Sequence, residues 1–290
     1  TTLLYSIPAE MEEEGIACIP AKALLGVVEN FPNSTVSIYT DGAFSVSLRC
    51  EKNKIKLQGY NPQDFPLITE VTGPHFELQA NTFTKAVTRV ALSAAKEESR
   101  PVLMSIEFRA KGSNLNLIAG DGFRLSHEVI GLNDNLDLCA LIPAQSLSNL
   151  VKLLKDTVRV TVEDKMSKIS FESDGLLMIF QLISGQFPDI TPLQLGEKNM
   201  KTRVKIGSSS LLRACKISSA LSCDKVELLC RPGEPGEIVV NMSSETGFSE
   251  TEVEADVQGE SQKVCLNANY LHEVLRYVDQ VEILVTSPRD

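Results

Sequence analysis

Ile142-Pro143-Ala144-Gln145-Ser146-Leu147-Ser148-Asn149-Leu150-Val151-Lys152-Leu153-Leu154 repeats, in pattern more than in identity, the stretch that runs from Ile19-Pro20-Ala21 to Phe31, 123 residues earlier. Behind each Ile-Pro-Ala, apolar residues fall at i, i+3, i+4 and i+7: Leu24, Val27, Val28 and Phe31 in the first copy, Leu147, Leu150, Val151 and Leu154 in the second. That spacing puts four apolar side chains on one face of a helix. A third copy of the stripe stands at Leu271, Val274, Leu275 and Val278. The end of the unit recurs as well, since Asp64-Phe65-Pro66-Leu67-Ile68 is answered by Gln186-Phe187-Pro188-Asp189-Ile190, with the two phenylalanines 122 residues apart. Self-similarity at a fixed period is the mark of a tandem array of one domain.

Each copy reads as two half-units, a helix followed by alternating strands. In the middle copy a strand at Phe76–Leu78 leads to Asn81 as N-cap and a helix to about Lys96, with the core stripe Phe83, Ala86, Val87, Val90 and Ala94. Strands are expected at 102–109, 114–119 and 124–130, the last two joined across Asp121-Gly122. Asn133-Asp134-Asn135 then separates the halves, and the plan repeats: a strand at 138–141, a helix over 142–156 with Pro143 in its first turn, and strands at 158–163, 168–172 and 177–183. A third opening follows with a strand at 203–206 and a helix over 208–222. Asp41, Asp121 and Asp174 each precede a glycine and read as hairpin turns before catalytic acids. Turn-rich boundaries near Thr72-Gly73-Pro74 and Gly196–Met200 divide the chain into 1–72, 73–197 and 198–290. By the repeat period the first copy lacks ~50 residues before Thr1 and the third ~25–35 after Asp290, so the outer copies are expected to be partial and the middle one complete.

The chain has 290 residues, 43% of them hydrophobic, enough for two or three ordinary cores. No apolar run reaches membrane-spanning length, and Thr1-Thr2-Leu3-Leu4-Tyr5 lacks the basic flank of a signal peptide, which points to the cytoplasm. Seven cysteines with no C-x-x-C pair argue for reduced core thiols over a disulfide framework or zinc ribbon. His75, His127 and His272 share no ligand spacing with cysteine or carboxylate, so no metal or other cofactor is expected. There is no nucleophile elbow, P-loop or dinucleotide fingerprint, and no catalytic constellation.

Charge is segregated. The five helical segments 19–31, 81–96, 142–156, 208–222 and 267–277 hold nine basic residues (Lys22, Lys85, Arg89, Lys96, Lys152, Lys155, Arg213, Lys216, Arg276) against three acidic ones (Glu29, Asp156, Glu273). Those helices therefore carry +6 in a chain of net −10, leaving −16 for the rest. On helix 81–96 the side chains of Lys85, Arg89 and Lys96 fall within ~40° of one another, away from the apolar stripe. Basic helices in an acidic remainder suit one surface that meets a polyanion.

Ser99-Arg100-Pro101-Val102-Leu103, then Leu115 to Ala119, Asp121-Gly122-Phe123-Arg124-Leu125 and Gly185-Gln186-Phe187-Pro188-Asp189, in this order, closely resemble the bacterial DNA polymerase III beta subunit, the replicative sliding clamp. The resemblance covers essentially the whole chain. It implies an α+β fold, a tandem repeat of clamp-type domains with helices on one face of antiparallel sheets, closing as a head-to-tail homodimer into a ring around duplex DNA. It implies a non-catalytic processivity factor bound, without base readout, to duplex DNA and, through short peptides, to the DNA polymerase III alpha subunit, the clamp loader and other clamp-motif proteins. No membrane partner is implied. The rival readings are a protein-only scaffold of the same fold, or an enzyme with its site outside this chain.

The resemblance assigns the partner-peptide pocket to Leu103, Gly120, Gly122, Phe123, Arg124, Leu125, Pro188, Pro192 and Leu193, with Leu103, Leu125 and Leu193 as apolar floor and Arg124 bonding the peptide backbone or a carboxylate. It places Lys22, Lys85, Arg89, Lys96, Arg100, Lys152, Arg213 and Lys216 toward DNA, and Ile55, Leu57, Ala220 and Leu221 at the dimer interface. Two departures stand out. The family usually has Ala-Thr-Asp-Gly where this chain has Ala119-Gly120-Asp121-Gly122, which removes a hydroxyl, and the C-terminal strand that completes the third domain and part of the pocket is missing.

Overall fold

Four phenylalanines, one from a helix and three from strands, mark the centre of the largest core, and the chain is most easily followed outward from them. The computed structural model describes residues 1–40, 44–97, 100–163, 167–193, 200–221 and 223–286, with the side chains of 218–220 left aside. The elements in order are β1 (Thr2–Tyr5), α1 (Ala21–Val28), β2 (Ser37–Thr40), β3 (Ser45–Cys50), β4 (Asn53–Gln58), β5 (His75–Gln79), α2 (Ala80–Val90), β6 (Ser105–Gly120), β7 (Leu125–Pro143), α3 (Ala144–Leu150), β8 (Thr157–Val162), β9 (Lys168–Ser173) and β10 (Leu176–Gln181). Then follow β11 (Thr202–Gly207), α4 (Ser208–Ala220), β12 (Lys225–Arg231), β13 (Glu237–Ser244), β14 (Gly247–Glu254), β15 (Asp256–Gly259), β16 (Gln262–Asn267), α5 (Ala268–Leu275) and β17 (Gln280–Val285). Every pairing between these strands is antiparallel.

In the middle of the chain, α2 and α3 touch and share one core with the sheet β1-β10-β9-β8-β5 and the long ribbon β6-β7. Phe83 of α2, Phe108 of β6, Phe171 of β9 and Phe180 of β10 are fully buried there. The expected stripe Phe83, Ala86, Val87, Val90 and Ala94 is buried throughout, as are Leu147, Leu150 and Val151. Asp174-Gly175 turns β9 into β10 with both residues at positive φ, 42° and 75°, which suits the twist of a two-residue hairpin. Asp41 lies outside the described residues.

The later part of the chain reuses the plan. Sheets β15-β11-β17 and β14-β13-β12-β16 enclose a second core with α4 and α5. The backbone joint at each helix start recurs too: Ala80 N–H bonds the Asp156 carbonyl at 2.8 Å, Ser208 N–H that of Asp279 at 3.0 Å, and Ala268 N–H that of Asp224 at 2.9 Å.

Several expectations need correction. The helices are shorter than read: α2 ends at Val90, a short 3-10 turn carries the chain to Ser93, and Ala94 is extended, so Lys96 is not on the helix. Gln79, not Asn81, stands at the N-cap, because β5 runs straight into the helix. Pro143 is likewise the N-cap residue of α3 and still pairs with Ser105 in the ribbon. Residues 101–104 form a 3-10 turn in place of the start of a strand. The strands expected at 114–119 and 138–141 merge into β6 and β7, and Asn133-Asp134-Asn135 lies inside β7 rather than between halves. A register shift between Gly112 and Asn114, with Gly112 at φ 63°, absorbs those polar residues without breaking the ribbon.

The helical stripe of the first copy behaves differently. None of the α1 residues is fully buried, and Leu25 and Val28 are exposed, in a part of the chain whose own sheet, β2-β3-β4, has three described strands. β1, from this first part, instead completes the middle sheet by pairing with β10, Thr2 opposite Ile179 through Tyr5 opposite Leu176.

Candidate partner-binding and nucleic-acid interfaces

The residues assigned to the peptide pocket gather around a small apolar cluster. Leu103, 9% exposed, packs with Ile118, Leu141, Phe187 and Ile190, and Leu125 and Ile183 lean on it. The Asp121-Gly122 turn closes the end of the ribbon where Gly120 pairs with Leu125, with Gly122 at φ 94°. Phe123 at its tip is 88% exposed and Leu193 64%; Pro188 and Pro192 are also exposed. Leu193 N–H bonds the carbonyl of Ile190, which ties the 191–193 turn to the cluster. Leu103 is thus a buried support, while Phe123, Leu193 and the prolines form the accessible surface.

Arg124, expected to bond the peptide backbone or a carboxylate, has partners within the fold. Its Nε meets Asp121 Oδ2 at 3.1 Å, its Nη1 meets Glu273 Oε2 at 2.6 Å, and its guanidinium lies 3.9 Å from the centre of the Tyr270 ring. The sequence reading missed Tyr270 and Glu273. They sit one turn apart on α5, and nothing local to them reveals a partner 149 residues away.

Of the residues assigned to DNA, Lys22, Lys85, Lys96, Arg100, Lys152, Arg213 and Lys216 are exposed. Arg89 is half-buried and paired with Glu128 of β7 at 2.6 Å, so its charge is already matched within the fold. Arg100 is placed beside the partner cluster: a Cβ on Gly122 would stand 3.8 Å from its Nη1. Arg213 lines a cavity of about 340 Å³ against Glu252 and Glu254 of β14. Within the observed helix bounds five basic residues (Lys22, Lys85, Arg89, Arg213, Lys216) face one acidic residue, Glu273. Lys152 and Arg276 lie just past the C-terminal ends of α3 and α5, where a cation also complements the helix dipole.

At the assigned dimer contacts, β4 is an edge strand with Ile55 and Leu57 half-buried on one face and Lys54 and Lys56 exposed on the other. Leu221, just past α4, lies against the turn that enters a second edge strand, β14: its carbonyl accepts from Ser244 Oγ at 2.8 Å and Thr246 Oγ1 at 2.9 Å. The side chain of Ala220 lies outside the described residues, as do Ser99 and the expected boundary at 196–199. β14 alternates Glu250, Glu252 and Glu254 on its exposed face.

A further cavity, of about 660 Å³, is lined by Glu107, Arg109, Cys139, Leu182, Phe187 and Asp189 among others. Buried Glu107 pairs with Arg109 at 2.7 Å and accepts from Cys139 Sγ at 3.3 Å. Desolvation and the Glu107 carboxylate push the Cys139 thiol up, so it stays protonated and is a poor nucleophile. Burial alone pushes Cys215 up to about 11. All seven cysteines are free, and Cys139 and Cys265 are exposed, which corrects the reading of them all as core thiols. Among the described residues no group of three or more His, Cys, Asp or Glu is placed to hold a metal, and no helix is long and apolar enough to cross a membrane.

Comparison with known proteins converges on one family. Residues 77–189 match the family model described as DNA polymerase III beta subunit, central domain. The beta sliding clamp of Staphylococcus aureus is 24% identical over 289 residues, spanning 95% of this chain and 74% of the relative, and that of Staphylococcus epidermidis is 24% identical over 290. The fold matches the crystal structure of the Bacillus subtilis DNA polymerase sliding clamp with a TM-score of 0.88 at 20% identity, over 98% of this chain and 79% of that one. The Thermotoga maritima DNA polymerase III beta subunit gives 0.86 at 19% identity, over 99% and 79%. With a repeated α+β unit, basic helices and an apolar cluster beside the Asp-Gly turn, the chain is similar over 95% of its length to the beta sliding clamps, and its residues 77–189 match the central domain of the DNA polymerase III beta subunit.

Proposed function

We propose that the chain acts as a non-catalytic DNA polymerase processivity factor: two copies join head to tail in a ring, its helices face duplex DNA, and short peptides of the DNA polymerase III alpha subunit, clamp loader and other clamp-motif proteins dock beside the Asp121-Gly122 turn. The division into 1–72, 73–197 and 198–290 belongs to this proposal. The observation that carries it is the segregation of charge in a chain of net −10, with the helices net basic, the strands close to neutral and the acidic excess in the connecting segments. Such a surface attracts phosphate without reading bases. Retention of the protein on nicked circular duplex, with loss from linear duplex of the same sequence, is the direct test; equal retention on both would exclude a topological ring.

The edges favour a head-to-tail pairing. β4 offers Lys54 and Lys56, β14 offers Glu250, Glu252 and Glu254, and unlike charges on neighbouring strands support pairing where like charges oppose it. Ile55 and Leu57 supply an apolar face that an unpaired edge would leave open.

Two measurements probe the remaining surfaces. Lys85→Glu with Arg213→Glu should weaken loading and retention alike on any sequence, and lower the salt slope of binding by ~0.9 for each phosphate no longer neutralised. A defect confined to particular sequences would argue for base readout. Leu193→Ala should cost about 1–2 kcal/mol of affinity for a clamp-binding peptide, the scale of an interface anchor, with the melting temperature nearly unchanged because the side chain is largely exposed. Unchanged affinity, read by fluorescence anisotropy, would move the pocket elsewhere.

A further inference from the structure

One carboxylate shapes the turn that carries Arg124. Asp121 Oδ1 accepts from the N–H groups of Phe123 at 2.9 Å and Arg124 at 3.0 Å, while Oδ2 takes Arg124 Nε at 3.1 Å. So held, the guanidinium reaches α5, where Glu273 binds it at 2.6 Å and the Tyr270 ring covers one face. The arginine side chain is only 13% exposed, although Phe123 beside it is almost fully exposed. One cation between two carboxylates makes a group of net charge −1. Two exposed apolar side chains lie further along the same segment: Val274 follows Tyr270 by one turn, and Tyr277, just past α5, follows Glu273 by one turn.

An arginine that gives its Nε and Nη1 to two carboxylates is a poor receptor for a third. A peptide carboxylate arriving here would meet net negative charge, and to reach the guanidinium it would have to displace Glu273 from a short, partly buried pair. A segment that presents only apolar side chains and an uncharged end meets no such barrier, and can pack on Phe123, Val274 and Tyr277. Like-charge juxtaposition of this kind is how interfaces reject wrong partners.

We propose that Glu273 is a specificity-determining residue of the partner groove: by holding Arg124 it directs the groove to apolar peptide segments that lack a carboxylate at the arginine's end. The proposal rests on the peptide-docking reading above and names the chemistry that site accepts. It assigns to α5, absent from the sequence-based pocket, one wall of the groove. It also gives Arg124 a positioning role in place of direct recognition.

The experiment uses the whole chain and one fluorescent apolar peptide ending in Leu-Phe, made as the C-terminal amide and as the free acid. The quantity read is the ratio of the two dissociation constants. The unaltered protein should bind the amide about tenfold more tightly than the acid, and Glu273→Gln, which keeps a carbonyl oxygen for Arg124, should shrink that ratio to about twofold. Adding Arg124→Gln should restore discrimination against the acid, since only Asp121 then remains charged. Raising the salt concentration should shrink the ratio in the unaltered protein through screening. An amide-to-acid ratio that is the same before and after Glu273→Gln overturns the role of Glu273 while leaving the groove in place. If neither peptide binds, or binding ignores Leu193→Ala, the docking site itself is wrong and the proposal falls with it.

Discussion

Ile55→Ser combined with Leu57→Ser should convert the protein from dimer to monomer and abolish retention on circular DNA. Both residues lie on one face of the edge strand β4 and are only half-buried, while their neighbours Lys54 and Lys56 point the other way. A fully buried side chain of this size is worth about 1.5–3 kcal/mol. If a partner strand covers the exposed half of each, the double change removes roughly 2–3 kcal/mol per interface. A closed ring of two copies has two such interfaces, so the loss counts twice. Sedimentation at micromolar concentration should then show the monomer mass. A charge exchange gives an independent check: Lys54→Glu with Lys56→Glu should also dissociate the ring, and Glu250→Lys with Glu252→Lys in the same chain should restore it. A dimer that survives the serine changes while the melting temperature falls would place Ile55 and Leu57 in the core of their own sheet.

The largest effect on stability is expected at Phe171. Its ring stacks on Phe83 at 5.8 Å and meets Phe108 and Phe180 edge-on at 6.3 and 5.6 Å, so it touches all three other rings of the central cluster. Phe171→Ala should cost about 3–5 kcal/mol, because the surrounding strands and α2 cannot close over the space left behind. For a unit of this size that corresponds to a fall of roughly 10–20 °C in the midpoint of thermal unfolding, measurable by circular dichroism. Phe171→Leu, which keeps most of the volume, should cost under about half as much. A decrease below ~1 kcal/mol for the alanine change would show that the four rings are not one packed unit.

What could be read from the sequence was whatever repeats or alternates over short range. Phe83, Val87 and Val90 declare a buried helical face by spacing alone, and Asp174-Gly175 declares a hairpin by backbone preference alone; in both cases the physics lies within a few residues. The 123-residue period, the antiparallel α+β architecture and the basic balance of the helices within an acidic chain belong to the same class, since each is a pattern summed along the chain. Helix ends were less legible, because whether Lys96 continues a helix depends on the extended segment after Ser93, where Ala95 N–H bonds the carbonyl of Leu103 at 2.9 Å.

The rest was decided by distant parts of the chain meeting. Equal apolar stripes lead to burial at Leu147 and Leu150 but to exposure at Leu25 and Val28, since a stripe is buried only where a sheet is wide enough to cover it. A polar Asn-Asp-Asn run reads locally as a break, yet it is carried inside β7 because a shift of register on the facing strand makes room. Arg124 looks like an exposed recognition residue until α5 is folded against it, and Arg89 like a free cation until β7 brings Glu128 to it. Charge pairing across the fold acts through space and carries no signature along the chain, so the sequence determined the repeated scaffold and its sign of charge, while only the tertiary structure decided which charges remain available to a partner.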